Sequence, residues 1–158
     1  MQNQHSAMYR EEEREMMPVL KHYGVGSIPW GPVAAGGEHN LCRYVEVKLM
    51  FRSVLCRPYK DISSTTRGQT FKDGKGAQPA DKAIVDKVEE IAKKRGVAMA
   101  EVAVAWSCQS PWVTAPIVGI RSNDRLDELI KGMKLKLTEQ EIKEINEPYA
   151  PVPVRGHT

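Results

Sequence analysis

The chain has 158 residues, about one domain's worth, with 23 Lys+Arg against 20 Asp+Glu and a formal charge of only +3. A balance so near neutral gives no strong electrostatic case for binding nucleic acid or an anionic membrane. The 41% hydrophobic and 27% charged content is that of a globular chain and excludes wholesale disorder.

The sequence opens on Met1-Gln2-Asn3-Gln4-His5, polar and without an apolar signal core. No run of about 18 apolar residues occurs that could span a membrane. Cys42, Cys56 and Cys108 are widely separated and form no C-x-x-C pair, which points to a reduced, cytoplasmic setting. The stretch 10–24 predicts a first helix starting near Glu13 or Arg14, with the acidic run 11–13 read as its solvated start. Lys21 and His22 suit its other end, Gly24 is a natural stop, and Pro18 is tolerable in a first turn. Val25 to Trp30 (VGSIPW) then predicts a buried strand closed by Pro29 and Gly31-Pro32. Residues 34–80 lack a clean period and read as an unusually long loop.

Order returns at Asp81. Ile84, Val85, Val88, Ile91 and Ala92 share one helix face, and Gly96 stops the helix. A second helix covers about Ala98 to Gln109, with Val102, Ala105, Trp106 and Cys108 as core contacts, until Pro111. Val113 to Val118 (VTAPIV) predicts another buried strand, followed at once by Gly119. A helix from about Asn123 to Met133 puts Leu126, Leu129, Ile130 and Met133 on one face. Thr138 and Glu141 have capping-box spacing, with Ile142 and Ile145 as the inner face of the last helix. The tail from Tyr149 onward is extended and loosely held. With residues 1–5 as a clipped strand, strands and helices alternate, which implies parallel pairing and an α/β class.

Metal chemistry has only the isolated His39-x-x-Cys42 spacing, short of four ligands. No G-x-S-x-G elbow announces a nucleophile. The richer segments follow the two strands. Gly119 lets a ligand approach the backbone, a helix N-terminus comes next, and Arg121 and Arg125 lie one turn apart, able to share a phosphate. The plain alternative is a βα loop with Ser122 or Asn123 as N-cap and two solvated arginines. Trp30-Gly31-Pro32-Val33 likewise ends its strand with an aromatic and a glycine turn, and packing is the plain alternative there. Both lie past the carboxyl ends of parallel strands, where α/β folds bind ligands.

Three runs carry a specific resemblance: MQNQHSAMYREEEREMMPVLKHYGVGSIPWGPVAAG, ADKAIVDKVEEIAKKRGVAMAEVAVAW and VTAPIVGIRSNDRLDELIKGMKLKLTEQEIKEINEPY. In this order they resemble the C-terminal half of an aldo-keto reductase and cover about two-thirds of the chain. The resemblance implies the C-terminal part of a (β/α)8 TIM barrel, an incomplete barrel with parallel strands and flanking helices, as one partial domain over 1–158. It further implies NADP as cofactor and reduction of a small carbonyl substrate by hydride transfer. Under it, Gln2 matches the glutamine that holds the nicotinamide carboxamide, and Trp30 matches the aromatic that stacks on the ring. Gly31 and Val33 fall in the motif that holds the pyrophosphate, with Gly31 standing where the family carries Ser. Gly119, Arg121 and Arg125 match the segment that grips the 2′-phosphate, and Glu128 matches the acid near the adenine. Leu129 replaces the usual Asn.

The family's Asp, Tyr, Lys and His tetrad matches nothing in this chain, so no catalytic residue is assigned. Residues 37–54 interrupt the family pattern as an insertion. A (β/α)8 barrel needs eight strands and typically about 250 residues, and this sequence supplies about three strands. The expectation is therefore an inactive or marginal chain that associates with itself through exposed strand edges. The alternative is a non-enzymatic interaction protein.

Overall fold

The computed structural model describes residues 1–34, 54–64, 79–120 and 122–153. Among the described residues five α-helices follow one another: α1 (Met16–His22), α2 (Pro79–Arg95), α3 (Met99–Gln109), α4 (Asn123–Lys134) and α5 (Glu139–Asn146). Short 3-10 turns cover Glu11–Glu13, Val54–Cys56 and Tyr59–Ser64. The insertion at 37–54, apart from Val54, and Arg121 lie outside the described residues.

The helical periods in the sequence are realised in the core. Ile84, Val85, Val88, Ile91 and Ala92 of α2 are all buried, and they join one cluster with Val102, Ala103, Val104 and Ala105 of α3. Helix α3 is enclosed by α2 and α4, and its alanines allow that close packing. Leu55, Ile62, Leu129 and Ile145 complete the cluster from the other elements.

Three extended segments replace the expected strands. Met1 O accepts from Ile28 N–H (2.8 Å), Asn3 O from Trp30 N–H (2.9 Å), and Trp30 O from His5 N–H (3.1 Å). On the other side Ser27 O accepts from Thr114 N–H (2.8 Å), and Pro29 O from Ile117 N–H (2.7 Å). The order across the patch is thus 1–5, 27–30, 114–117, all parallel, with bridges Gln4 to Trp30 and Trp30 to Ile117. Among the described residues these are isolated bridges rather than continuous strands.

The expectation of fully buried strands is corrected. Ser27 and Pro29 are buried, whereas Ile28 and Trp30 between them are each 43% exposed, and Ile117 is 39% exposed. Period-two alternation puts one face against the helices and leaves the other uncovered. A similar correction applies to α4: Leu129 is buried, but Leu126, Ile130 and Met133 face outward.

The first predicted helix divides into the 3-10 turn and α1, and its acidic run is not a solvated start. Glu11 accepts from Tyr149 Oη (2.7 Å) and from Val152 N–H (2.9 Å), and it pairs with Arg14 (2.9 Å). Burial pushes its pKa up, but these donors outweigh burial and hold it below the ordinary value. Glu13 accepts from His5 Nε2 (2.7 Å) and from both branches of Arg10 (3.0 and 2.7 Å). It too is held low despite burial. The tail is accordingly tied down as far as Val152, which is buried, rather than loosely held.

The capping box at the start of α5 forms as expected. Glu141 N–H donates to Thr138 Oγ1 (3.2 Å), and Thr138 N–H donates to Glu141 Oε2 (2.8 Å). The same carboxylate receives Arg95 from the end of α2, with Nε to Oε1 at 2.7 Å and a second bond from Nη2. The guanidinium holds the Glu141 pKa down to about 2, against the burial of the group. A depressed carboxylate stabilises the fold fully above its unfolded pKa, here near 4.5, and that contribution fades as pH falls towards about 2. Glu141→Gln is therefore expected to cost about 1–3 kcal/mol near neutrality. Urea titrations at pH 6 and near pH 2 should show the gap between the two proteins closing at the acid end.

Candidate functional site

The middle extended segment positions the first group. Trp30 sits between Gln4 and Ile117 in the parallel patch, so its end of the segment lies beside the end leading to Gly119. Its half-exposed indole is an apolar ring open to solvent. Gln2 lies on the neighbouring segment and is exposed.

Gly31 follows with φ +76°, a left-handed conformation that side-chain-bearing residues adopt at a cost. Its carbonyl accepts from Ala34 N–H (2.9 Å), closing a tight turn that buries Pro32 and Val33. A Cβ at Gly31 or Gly119 would meet open space, so both backbones are accessible to a ligand.

That turn is joined to the second group by main-chain pairing. Val54 N–H donates to Ala34 O (3.1 Å) and Leu55 N–H to Val33 O (3.3 Å). The next residue, Cys56, offers its thiol to Arg125 Nη2 at 2.6 Å, while Arg125 Nη1 pairs with Glu128 one turn along α4. Burial works against the Arg125 charge, but Cys56 and Glu128 overcome it and raise its pKa, so it stays cationic. Ser122 caps α4, its Oγ accepting from Arg125 N–H (3.3 Å). The plain N-cap reading of this loop is therefore realised, and Arg125 is engaged rather than solvated.

Val33, Arg125 and Glu128 are thus linked through 54–56, and Gln2, Trp30 and Gly31 lie on adjoining parallel segments. The partner of Arg125 escaped the sequence reading. Cys56 and Arg125 are 69 residues apart with an unpatterned stretch between them, and no local spacing marks such a contact.

A second polar cluster was also missed. His5 is fully buried, stacks on Trp106 (centroids 5.3 Å apart) and donates from Nε2 to Glu13. A carboxylate can only accept, so Nε2 carries a proton, while the buried Nδ1 makes no hydrogen bond among the described residues. Arg10 lies over both Trp106 (5.8 Å) and Tyr149 (5.2 Å), and Trp106 Nε1 donates to Asn146 Oδ1 (2.9 Å). The only sequence hint was the three-residue spacing of Arg10 and Glu13, a common surface pattern.

A shallow, open cavity of about 540 Å³ lies elsewhere, lined by Arg10 and by Glu139, Ile142, Lys143, Asn146 and Glu147 at α5 and just beyond it. It holds none of the candidate residues. Among the described residues no cluster of His, Cys, Asp and Glu could hold a metal, and no helix is long and apolar enough to cross a membrane. His39 and Cys42 lie outside those residues.

Comparison with known proteins places the sequence beside fungal reductases. The chain is similar to versiconal hemiacetal acetate reductase of Aspergillus parasiticus, 41% identical over 155 residues, covering 96% of this chain and 40% of that protein. It is similar to aldo-keto reductase AMT2 of Alternaria alternata, 37% identical over 161 residues, covering 100% of this chain and 38% of the relative. Aldo-keto reductase dtxS3 of Metarhizium robertsii is 36% identical over 161 residues, with the same coverage on both sides. The chain therefore spans about two-fifths of the length of the curated relatives it matches. The family model described as "Aldo/keto reductase family" matches residues 1–150, and the chain belongs to that family.

Proposed function

We propose that this chain is the cofactor-binding part of an NADP-dependent aldo-keto reductase, an incomplete (β/α)8 barrel. On this reading it is one partial domain over 1–158, with an insertion at about 37–54. The observation that carries the reading is the parallel register of 1–5, 27–30 and 114–117, which sets Trp30 and the approach to Gly119 side by side. Ligands of parallel α/β folds bind at such segment ends.

The residues present suit a dinucleotide. Trp30 offers a ring face to the nicotinamide, and Gln2 on the adjoining segment offers amide groups to its carboxamide. Gly31 and Gly119 supply approachable backbone for the pyrophosphate, and the buried Val33 anchors the turn that presents Gly31. Arg121 and Arg125 supply positive charge for the 2′-phosphate, with Glu128 near the adenosine. Bound NADPH would contribute the hydride that reduces a small carbonyl compound to an alcohol.

On this reading the proton for the carbonyl oxygen comes from outside the described residues. Tyr149 donates its hydrogen bond to Glu11, and burial with that carboxylate raises its pKa, so it is a poor acid. Tyr9 is buried, and Tyr23 lies exposed at the end of α1.

The test is a titration with NADPH, following energy transfer from tryptophan to the dihydronicotinamide. Saturable transfer is expected, abolished by Trp30→Ala without loss of helical circular dichroism. Arg121→Ala should erase the preference for NADPH over NADH. No response at millimolar NADPH would overturn the assignment and favour the second reading, a non-enzymatic interaction protein, to which the uncovered Ile28, Ile117 and Ile130 point.

A further inference from the structure

Segment 1–5 carries Gln2, segment 27–30 carries Trp30, and the pairing between them is short. Main-chain bonds at Met1, Asn3 and His5 join the two as isolated bridges rather than a continuous ladder. Trp30 is held on both sides: its N–H donates to Asn3 O (2.9 Å), and its carbonyl accepts from His5 N–H (3.1 Å). A pairing this short specifies register weakly, and a slip of one residue would turn Gln2 to the opposite face.

His5 supplies what the short pairing lacks. By period-two alternation its side chain leaves segment 1–5 on the opposite face from Gln2 and Gln4. There it is fully buried and stacked on Trp106 of α3, with the ring planes inclined by 26°. Nε2 donates to Glu13 (2.7 Å), and Nδ1 makes no hydrogen bond among the described residues. One ring face and one hydrogen bond therefore locate the imidazole. The acceptor is itself fixed. Ser6 and Tyr9 exchange main-chain bonds (3.1 and 3.0 Å) in the turn after His5. Beyond that turn Glu13 takes both branches of Arg10, whose guanidinium lies over Trp106. The side chain of His5 is thus bound to the helix layer, and its backbone is bound to Trp30.

We propose that His5 is a positioning residue for the cofactor site. It pins segment 1–5 to the helix layer and so fixes the Gln2 amide relative to the Trp30 indole. This rests on the reading of Gln2 and Trp30 as nicotinamide contacts. His5 touches no cofactor itself, because its ring lies on the buried face while Trp30 opens to solvent. Holding the two groups at a set spacing lowers the ordering cost of binding.

The test compares His5→Leu, which removes the hydrogen bond and the flat ring, with His5→Gln, whose amide can still donate to Glu13. Amide hydrogen exchange by NMR reads the pin without any ligand, at a temperature where circular dichroism shows every protein folded. In His5→Leu the Trp30 amide is expected to exchange about tenfold faster or more, while Val85, Val88 and Ile91 of α2 keep their original rates. His5→Gln should stay within about threefold of the unaltered chain. In an NADPH titration His5→Leu should weaken binding about tenfold. Gln2→Ala weakens binding in the unaltered chain and should add little to His5→Leu, because the two act through one placement. Three results would overturn the proposal: an unchanged Trp30 amide, an equal rise at Trp30 and throughout α2, or a Gln2→Ala loss of the same size in both backgrounds. If His5→Leu does not fold, Glu13→Ala carries the test. It removes the acceptor, leaves the stacked ring, and must show the same selective loss at Trp30. NADPH that fails to bind the unaltered chain would refute the cofactor assignment, whereas the Trp30 exchange rate judges the pin separately.

Discussion

Trp106→Ala is expected to be the most damaging single substitution in the described part of the chain, at about 3–5 kcal/mol. Trp106 is 4% exposed and occupies the meeting point of three parts of the sequence. His5 stacks on its ring, Arg10 lies over it, and its Nε1 reaches Asn146. Truncation leaves a cavity beside a buried imidazole and frees both ends of the chain from α3. A domain of this size carries about 5–15 kcal/mol in all. The check is the urea midpoint by far-UV circular dichroism, because the substitution also removes a fluorophore. Trp106→Phe keeps a ring for His5 and loses only the bond to Asn146, which is half-buried and can turn to water. It should cost about 1–2 kcal/mol. Equal losses in the two variants would mean that packing is not what Trp106 contributes.

Gly132→Val is expected to separate α4 from α3. A Cβ built at Gly132 would lie 2.9 Å from both Cα and O of Glu101. These are main-chain atoms and cannot rotate away, so one helix has to move. The same glycine lies in the last turn of α4, where alanine normally gains up to about 1 kcal/mol. Gly132→Ala therefore sets a propensity gain against a clash, and the clash prevails, with a net loss of about 1–2 kcal/mol. Valine adds two methyl groups to the same contact and should cost about 3 kcal/mol or more. Urea denaturation of the three proteins gives the order directly. If alanine proved stabilising, the crossing of α3 and α4 would be looser than described. Arg125 and Glu128 ride on α4, so under the proposed cofactor assignment a shifted helix should also weaken NADPH binding.

Much of the fold was legible because it depends on short-range periods. Ile84, Val85, Val88, Ile91 and Ala92 mark the buried face of α2 by spacing alone. Thr138 and Glu141 announce the start of α5 by a local reciprocal bond. The parallel direction followed from the alternation of helices with VGSIPW and VTAPIV. The degree of burial did not. An apolar run is read as buried on both faces because a sheet with helices on one side normally has something on the other. Ile28, Trp30 and Ile117 have nothing there among the described residues, and that is a property of how much chain surrounds them.

The amino-acid sequence by itself determined the helices, their stops, and the family resemblance with its candidate residues Gln2, Trp30, Gly31, Val33, Gly119, Arg121, Arg125 and Glu128. Those follow from neighbours within a turn or two and from ordered motifs. Tertiary structure alone decided that Arg125 is shared between Glu128 and Cys56. It also took Glu11 and Glu13 out of a solvated charge run: Glu11 binds the tail to the start of the chain, and Glu13 holds His5 and Arg10. Such contacts join residues up to 141 positions apart. A carboxylate's surroundings are set by which segments fold over it, and no local spacing encodes that.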